Sequence, residues 1–248
     1  MRTNLDHPTI RPEVTLRIPG VWSRPEEFYE HLPMGCRCTE SALVLRDGSE
    51  FELNVLTADE EFPAIFAGSC PKLPTERERE TIENYRVNLC LTGRGGSIES
   101  ARGLMEAAAI VIETGGAGVF VDNSGLAHGA TDWLTLCSDA EKGGVYWAFV
   151  GTVRGNDVMY SVGMHVLGFR DAVIPATGDD EYDQRTLHSF LGYTAFSGAK
   201  IGDGDMVGDP VLPTFRAHMQ ADDCFPSDAP MFNSYGRWRL VPVDTERN

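Results

Sequence analysis

The chain has 248 residues, of which 42% are hydrophobic and 23% charged, and 21 basic against 37 acidic side chains give a formal net charge of −16. This balance excludes a wholly disordered chain, a coiled coil and collagen, and the length suits one large domain or two small ones. The strong negative charge repels phosphate backbones, so nucleic acid is not expected as a partner.

The first ninety residues predict a strand, a helix, a hairpin, a second helix and another strand. Residues 14–18 alternate as a strand does, and residues 23–26 form a capping-box pattern that opens a short helix. Asp47-Gly48, between two apolar runs, is the strongest hairpin signal in the chain. Residues 75–78 repeat the capping box, and 86–92 predict the next strand. This order resembles a ferredoxin-like split βαβ unit.

The middle of the chain predicts two more helices and a second hairpin. Ser97 opens a helix with one apolar face, and residues 119–121 form a short apolar run typical of a buried strand. Thr131 is placed to cap a further helix. The apolar runs at 145–153 and 158–169 predict two antiparallel strands.

The last hundred residues predict a helix at 182–195, capped by an acidic residue before it, and a final strand at 237–243. Residues 200–234 are predicted to be mostly loop. The expected fold class is therefore α+β, with antiparallel or mixed sheets and helices packed on one face. We expect residues 1–92 to form the ferredoxin-like unit and residues 93–248 a second α+β unit packed closely on it, because no Ser-rich or charged linker divides them.

The expected localisation rests on two sequence patterns that the chain does not show. No stretch approaches the roughly 18 consecutive apolar residues of a membrane helix, and the first residues carry no apolar segment of the secretory kind. We expect a cytoplasmic protein without membrane association, whose six scattered cysteines are reduced.

Two segments of the second half carry a family resemblance. GMHVLGFRD at 163–171, followed about thirty residues later by GDGDMVG at 202–208, resembles the bacterial domain-of-unknown-function 4261 family, over residues from about 145 to 243. That family usually has Phe and Glu where this chain has Leu167 and Asp171, and Thr where it has Met206. The resemblance implies a fold and a bacterial origin, and it implies no mechanism because the family has no established activity.

Two glycine-rich segments have alternative interpretations. The loop GRGGS at 93–97 could hold an anion at a helix N-terminus, but it lacks the Walker and dinucleotide patterns, which favours an ordinary turn. Asp203, Asp205 and Asp209 partly imitate a calcium loop, but Val207 and Thr214 stand where that loop needs ligands. A turn held by aspartate side chains is therefore expected.

Three polar clusters are also weighed against structural roles. Cys36-x-Cys38 near His31 offers zinc donors, but the second cysteine pair of a structural zinc site is missing. Ser124, His128 and Asp132 offer a hydroxyl, an imidazole and a carboxylate for hydrolysis, but their neighbours do not fit the G-x-S-x-G motif. The acidic residues at 179–183 are typical of a helix start.

We therefore expect a non-catalytic binding or interaction module with an unknown protein or small-molecule partner and with neither cofactor nor metal site. The alternative is an enzyme whose polar site is built from segments 163–171 and 202–209, with His165, Asp171, Asp203 and Asp205 as catalytic candidates. That alternative requires the four side chains to meet in one concave pocket.

The cysteine pattern gives a direct prediction. Titration of thiols in denaturant without reductant should count six, because a reducing compartment leaves scattered cysteines unpaired. Two or more missing thiols would show that a disulfide forms.

Overall fold

The computed structural model describes residues 11–141, 143–208 and 213–243. Within these residues the strands are β1 Glu13–Gly20, β2 Arg37–Cys38, β3 Ala42–Val44, β4 Glu50–Thr57, β5 Val87–Arg94, β6 Gly118–Val121, β7 Leu126–Gly129, β8 Gly151–Arg154, β9 Val158–Val162, β10 Asp171–Pro175, β11 Met206–Val207, β12 Phe215–Gln220 and β13 Arg237–Pro242. The α-helices are α1 Glu26–Glu30, α2 Phe62–Gly68, α3 Glu76–Glu83, α4 Ile98–Glu113, α5 Ala130–Ser138, α6 Gly144–Phe149 and α7 Asp180–Phe196. A 3-10 turn covers Met164–Leu167.

The strands form two sheets. Sheet A has seven strands in the order β2-β3-β4-β5-β1-β6-β7, and its neighbours are antiparallel. Sheet B has six strands in the order β11-β12-β13-β10-β9-β8, with β10 and β13 parallel and the other neighbours antiparallel. The predicted α+β class, with antiparallel and mixed sheets, is confirmed.

The ferredoxin-like detail is not confirmed. A ferredoxin-like unit places its first strand between the third and the fourth, whereas here β1 lies between β5 and β6. The reason is that β4 pairs along most of its length with β5, from Glu52 opposite Thr92 to Thr57 opposite Val87, so that β5 separates β4 from β1. Sheet A thus contains strands from both sides of residue 92, and the division into units 1–92 and 93–248 stays a prediction.

Helix α4 lies within the hydrophobic core. Ser97 caps it by accepting a hydrogen bond from the Ser100 backbone N–H at 3.1 Å, as the sequence predicts. Its side chains Leu104, Met105 and Ala108 are fully buried. The helix packs against β1 and β5 of sheet A and also against α5 and α6. The same cluster of buried side chains continues into sheet B, so both sheets share one core.

Several predicted elements need correction. Residues 145–149, predicted as part of a strand, form helix α6, because a short apolar run does not distinguish a strand from a buried helix. The predicted cap Thr131 lies inside α5, whose N-cap is Gly129. Helix α2 has no counterpart among the elements predicted from the sequence, and β12 lies in the predicted loop 200–234. All six cysteines are free thiols.

The packing of α7 gives a stability prediction. Leu191 is fully buried where α7 packs on β9 and β10, so Leu191→Ala should lower the free energy of unfolding by about 2–5 kcal/mol. Tyr193→Ala, at an exposed position of the same helix, is the control and should cost far less. Denaturant unfolding measures both, and equal losses would show that the helix does not pack through Leu191.

Candidate functional site

A cleft lies where the edges of the two sheets meet. It has a volume of about 650 Å³ and is lined by the edge strands β7 of sheet A and β8 of sheet B, with contributions from α6 and α7. We call it the seam cleft. The polar and aromatic side chains that line it include Lys72, Ser124, His128, Asp132, Trp147 and His188.

An imidazole and a carboxylate are bonded to each other in the seam cleft. His128 Nδ1 lies 2.9 Å from Asp132 Oδ2, and Lys72 Nζ lies 3.3 Å from Asp132 Oδ1. The hydrogen bond from His128, helped by Lys72, lowers the pKa of Asp132. Because the ionised carboxylate only accepts, Nδ1 carries the proton that it donates to Asp132. In the neutral ring Nε2 is then a hydrogen-bond acceptor.

Two polar atoms of the seam cleft are buried without a partner in the described structure. They are His128 Nε2 and Ser124 Oγ. His128 is 2% exposed, so its ring cannot turn to bulk water. An unsatisfied buried polar atom costs about 1–3 kcal/mol, and such atoms call for a specific explanation. Both residues line the seam cleft, so a ligand group that reached these atoms would supply the missing hydrogen-bond partner.

A buried glutamate holds the segment that carries this pair. Glu78 Oε1 accepts hydrogen bonds from the backbone N–H and the hydroxyl of Thr131, each at 2.7 Å. Its Oε2 accepts from Thr75 N at 2.7 Å, which completes the predicted capping box of α3. One carboxylate thus ties the start of α3 to the first turn of α5, where Asp132 lies.

The opposite wall is aromatic. The Tyr146 hydroxyl lies 2.7 Å from His188 Nδ1, and burial raises the pKa of Tyr146 and lowers that of His188 to about 4. His188 is therefore neutral at pH 7. Trp147 is 48% exposed, and its ring centroid lies 4.7 Å from that of His188.

The three residues that the sequence offers for hydrolysis are only partly arranged as a catalytic triad. Ser124, His128 and Asp132 line one cleft and the imidazole–carboxylate bond is present, but the Ser124 hydroxyl has no hydrogen bond to His128. Cys70 also lines the cleft. Burial raises the pKa of its thiol to about 11, so it is not a thiolate at neutral pH.

Two of the predicted catalytic candidates are interior residues. The Asp171 carboxylate accepts from Ser161 Oγ at 2.7 Å and Asn233 Nδ2 at 2.6 Å, and burial raises its pKa to about 6. His165 Nε2 lies 3.1 Å from the Pro230 carbonyl oxygen, and burial lowers its pKa to about 4. Both side chains contact the segment that precedes β13.

The other two candidates lie in an exposed turn. Asp203 Oδ1 accepts from Met219 N at 2.8 Å, and Asp205 Oδ2 accepts from Gly202 N at 2.7 Å. The turn is thus held by aspartate side chains, as expected, although Asp209 lies outside the described residues. Across the described ranges, no hydrogen bond or ion pair joins this turn to His165 or Asp171. None of the four candidates lines the seam cleft.

Two further polar clusters are occupied by contacts within the protein. In the loop 93–97, Gly95 N and Gly96 N donate to backbone carbonyls. Asp222, Asp223 and Cys224 lie close enough together to share an ion, but the Asp222 carboxylate is paired with the buried Arg237 guanidinium. Neither cluster is a candidate site.

The sequence therefore pointed to part of the seam cleft and missed the rest. Ser124, His128 and Asp132 stand close together in the chain and were weighed as a set. Lys72, Trp147 and His188 come from distant segments, and no spacing in the sequence links them to His128.

Comparisons with protein families, with curated proteins and with solved structures found no match. Among the described residues, no helix has both the length and the apolar character needed to cross a membrane.

The lowered pKa of His165 predicts a pH dependence of stability. Between pH 6.5 and about 4 the unfolded chain binds a proton at this residue that the folded chain does not, so acidification destabilises the fold. A pKa shift of this size lowers the free energy of unfolding by about 3 kcal/mol as the pH falls through this range. His165→Gln, which keeps an N–H donor for Pro230, should remove that loss.

Unfolding free energies at several pH values measure the effect. Above pH 7 the native protein and His165→Gln should differ by a constant amount, which serves as the internal control. Parallel curves down to pH 4 would contradict the account of His165.

Proposed function

We propose that the protein is a binding module that holds a small polar molecule in the seam cleft. The observation that carries the proposal is the pair of buried polar atoms without partners, His128 Nε2 and Ser124 Oγ. Ligand groups that bond to them would offset the desolvation cost of burying the two atoms without a protein partner. The ionised Asp132 and the bonded Glu78 hold His128 and its segment in a fixed orientation, as binding sites require.

Binding has more support than catalysis. A nucleophilic mechanism needs a hydroxyl or thiol activated by a base. In the described seam cleft, Ser124 is not bonded to His128, and Cys70 is a protonated thiol that donates to the Phe66 carbonyl oxygen at 3.2 Å. The alternative enzyme site from segments 163–171 and 202–209 has less support, because its side chains bond to the protein itself.

The cellular setting is proposed on sequence grounds. The motifs at 163–171 and 202–208 support membership of the bacterial domain-of-unknown-function 4261 family, and hence a bacterial origin. The six free thiols support a reducing compartment such as the cytoplasm. The net charge of −16 supports a partner other than nucleic acid.

Two serine substitutions test whether the seam cleft holds unsatisfied atoms. Ser124→Ala should raise the free energy of unfolding by about 1 kcal/mol, because it removes a buried hydroxyl without a partner. Ser161→Ala is the matched control, since its buried hydroxyl donates to Asp171 and its loss should cost about 1–3 kcal/mol. Denaturant unfolding without added ligand measures both.

If Ser124→Ala destabilised the protein as much as Ser161→Ala does, the Ser124 hydroxyl would already be satisfied in the folded state. The proposal of a ligand site at these atoms would then fail.

A further inference from the structure

The charged groups that line the seam cleft compensate each other. They are Lys72 and Asp132, whose nearest charged atoms lie 3.3 Å apart. His188 adds no charge at pH 7, and the net charge of −16 gives the whole protein a field that repels anions. Among the described residues that line the cleft, an anionic ligand would therefore meet no free cation, and a cationic ligand would compete with Lys72 for Asp132.

The two imidazoles offer opposite hydrogen-bonding groups. In its neutral form His128 presents an acceptor at Nε2, since its Nδ1 proton is donated to Asp132. Tyr146 is 3% exposed and His188 Nδ1 is its described hydrogen-bond partner, so the hydroxyl is satisfied as a donor only if Nδ1 accepts. The proton of the His188 ring is then on Nε2, which can donate to a ligand.

Trp147 supplies the apolar surface of the cleft. It is 48% exposed, whereas the other three tryptophans, Trp22, Trp133 and Trp238, are each under 8% exposed. Half-exposed tryptophan rings at binding sites combine a large apolar area with little conformational freedom to lose. A flat ligand face can therefore be buried against Trp147 beside the His188 donor.

We propose that the seam cleft binds a neutral ring compound carrying hydroxyl groups, either a free sugar or the sugar of a nucleoside. One ligand hydroxyl donates to His128 Nε2, a ligand oxygen accepts from His188 Nε2, and the apolar ring face packs on Trp147. This inference rests on the proposed function and specifies the chemical class of its ligand.

Tryptophan fluorescence provides the assay, because acrylamide quenching reports mainly on the exposed Trp147. The neutral probes are methyl α-glucopyranoside and adenosine, and the charged probes are glucose 6-phosphate and glucosamine. A neutral probe should protect Trp147 from acrylamide and bind at least about tenfold more tightly than the charged probes. Protection by the glucoside indicates a free sugar as the source, and protection by adenosine alone indicates a nucleoside.

Substitutions locate the binding. His128→Phe should weaken the Kd of the protecting probe by about tenfold or more, because it removes the acceptor and keeps the ring shape. His188→Phe should do the same through loss of the donor. Trp147→Leu removes the fluorescent reporter at the half-exposed position, so saturation-transfer NMR follows that variant, and loss of the stacking surface should abolish binding of the probe. His218→Gln is the matched control, since His218 also faces an aspartate, Asp203 at 3.6 Å, but outside the cleft. It should leave the Kd within about twofold.

Three results would overturn the inference. Tighter binding of a charged probe would show the wrong ligand class, and equal weakening by His128→Phe and His218→Gln would show the wrong site. Failure of both neutral probes to bind would also reject it. The stability of Ser124→Ala then decides separately whether the seam cleft is a binding site at all.

Discussion

The burial of helix α4 is the constraint on which the arrangement of both sheets depends. Each fully buried Leu or Met on this helix contributes about 2 kcal/mol of apolar burial, and the helix packs on sheet A and on α5 and α6. Trp133 of α5 fixes the packing further, since its indole N–H donates to the Met105 carbonyl oxygen at 3.2 Å. Because β7 leads into α5 and β8 follows α6, this packing brings the two sheet edges together. The seam cleft is the space left between them.

Polar contacts then determine what the seam cleft can do. Glu78 holds the first turn of α5, Asp132 in that turn holds the His128 ring, and the ring leaves Nε2 free. A buried polar network of this kind is rigid where it is satisfied and costly where it is not. In the seam cleft the buried atoms without a hydrogen-bond partner are His128 Nε2 and Ser124 Oγ, and we therefore assign the ligand's hydrogen bonds to them. Natural binding sites commonly keep such locally destabilising features because function needs them.

The elements that the sequence predicts well are those fixed by neighbouring residues. The Asp47-Gly48 hairpin and the Ser97 cap depend on local backbone chemistry, and both are present. Helix α6 and strand β12 were not predicted, because a short apolar run has no period of its own and a strand in a polar segment is stabilised by its partner. The order of sheet A was missed for the same reason, since β1 pairs with β5 and β6 across long loops.

The candidate site shows the same difference between features set by neighbouring residues and features set by long-range contacts. The hydrogen bond from His128 to Asp132 joins residues four apart and is visible as a spacing. Lys72, between α2 and α3, and His188 of α7 reach the cleft only through long-range packing. His165 and Asp171 were candidates because they sit in a motif, yet the Asp171 carboxylate bonds to Ser161 and Asn233, and neither residue lines the seam cleft. A polar residue in a motif is a candidate site residue only if the fold places it at a cleft.

The ring nitrogens of His128 test the central claim most directly. Long-range ¹H–¹⁵N NMR at neutral pH distinguishes a protonated ring nitrogen from an unprotonated one. The account predicts that Nδ1 of His128 is protonated and bonded to Asp132 while Nε2 is an unprotonated acceptor, and that the Nε2 resonance shifts when methyl α-glucopyranoside or adenosine binds. A proton on Nε2, or an Nε2 resonance that responds to neither probe, would contradict it.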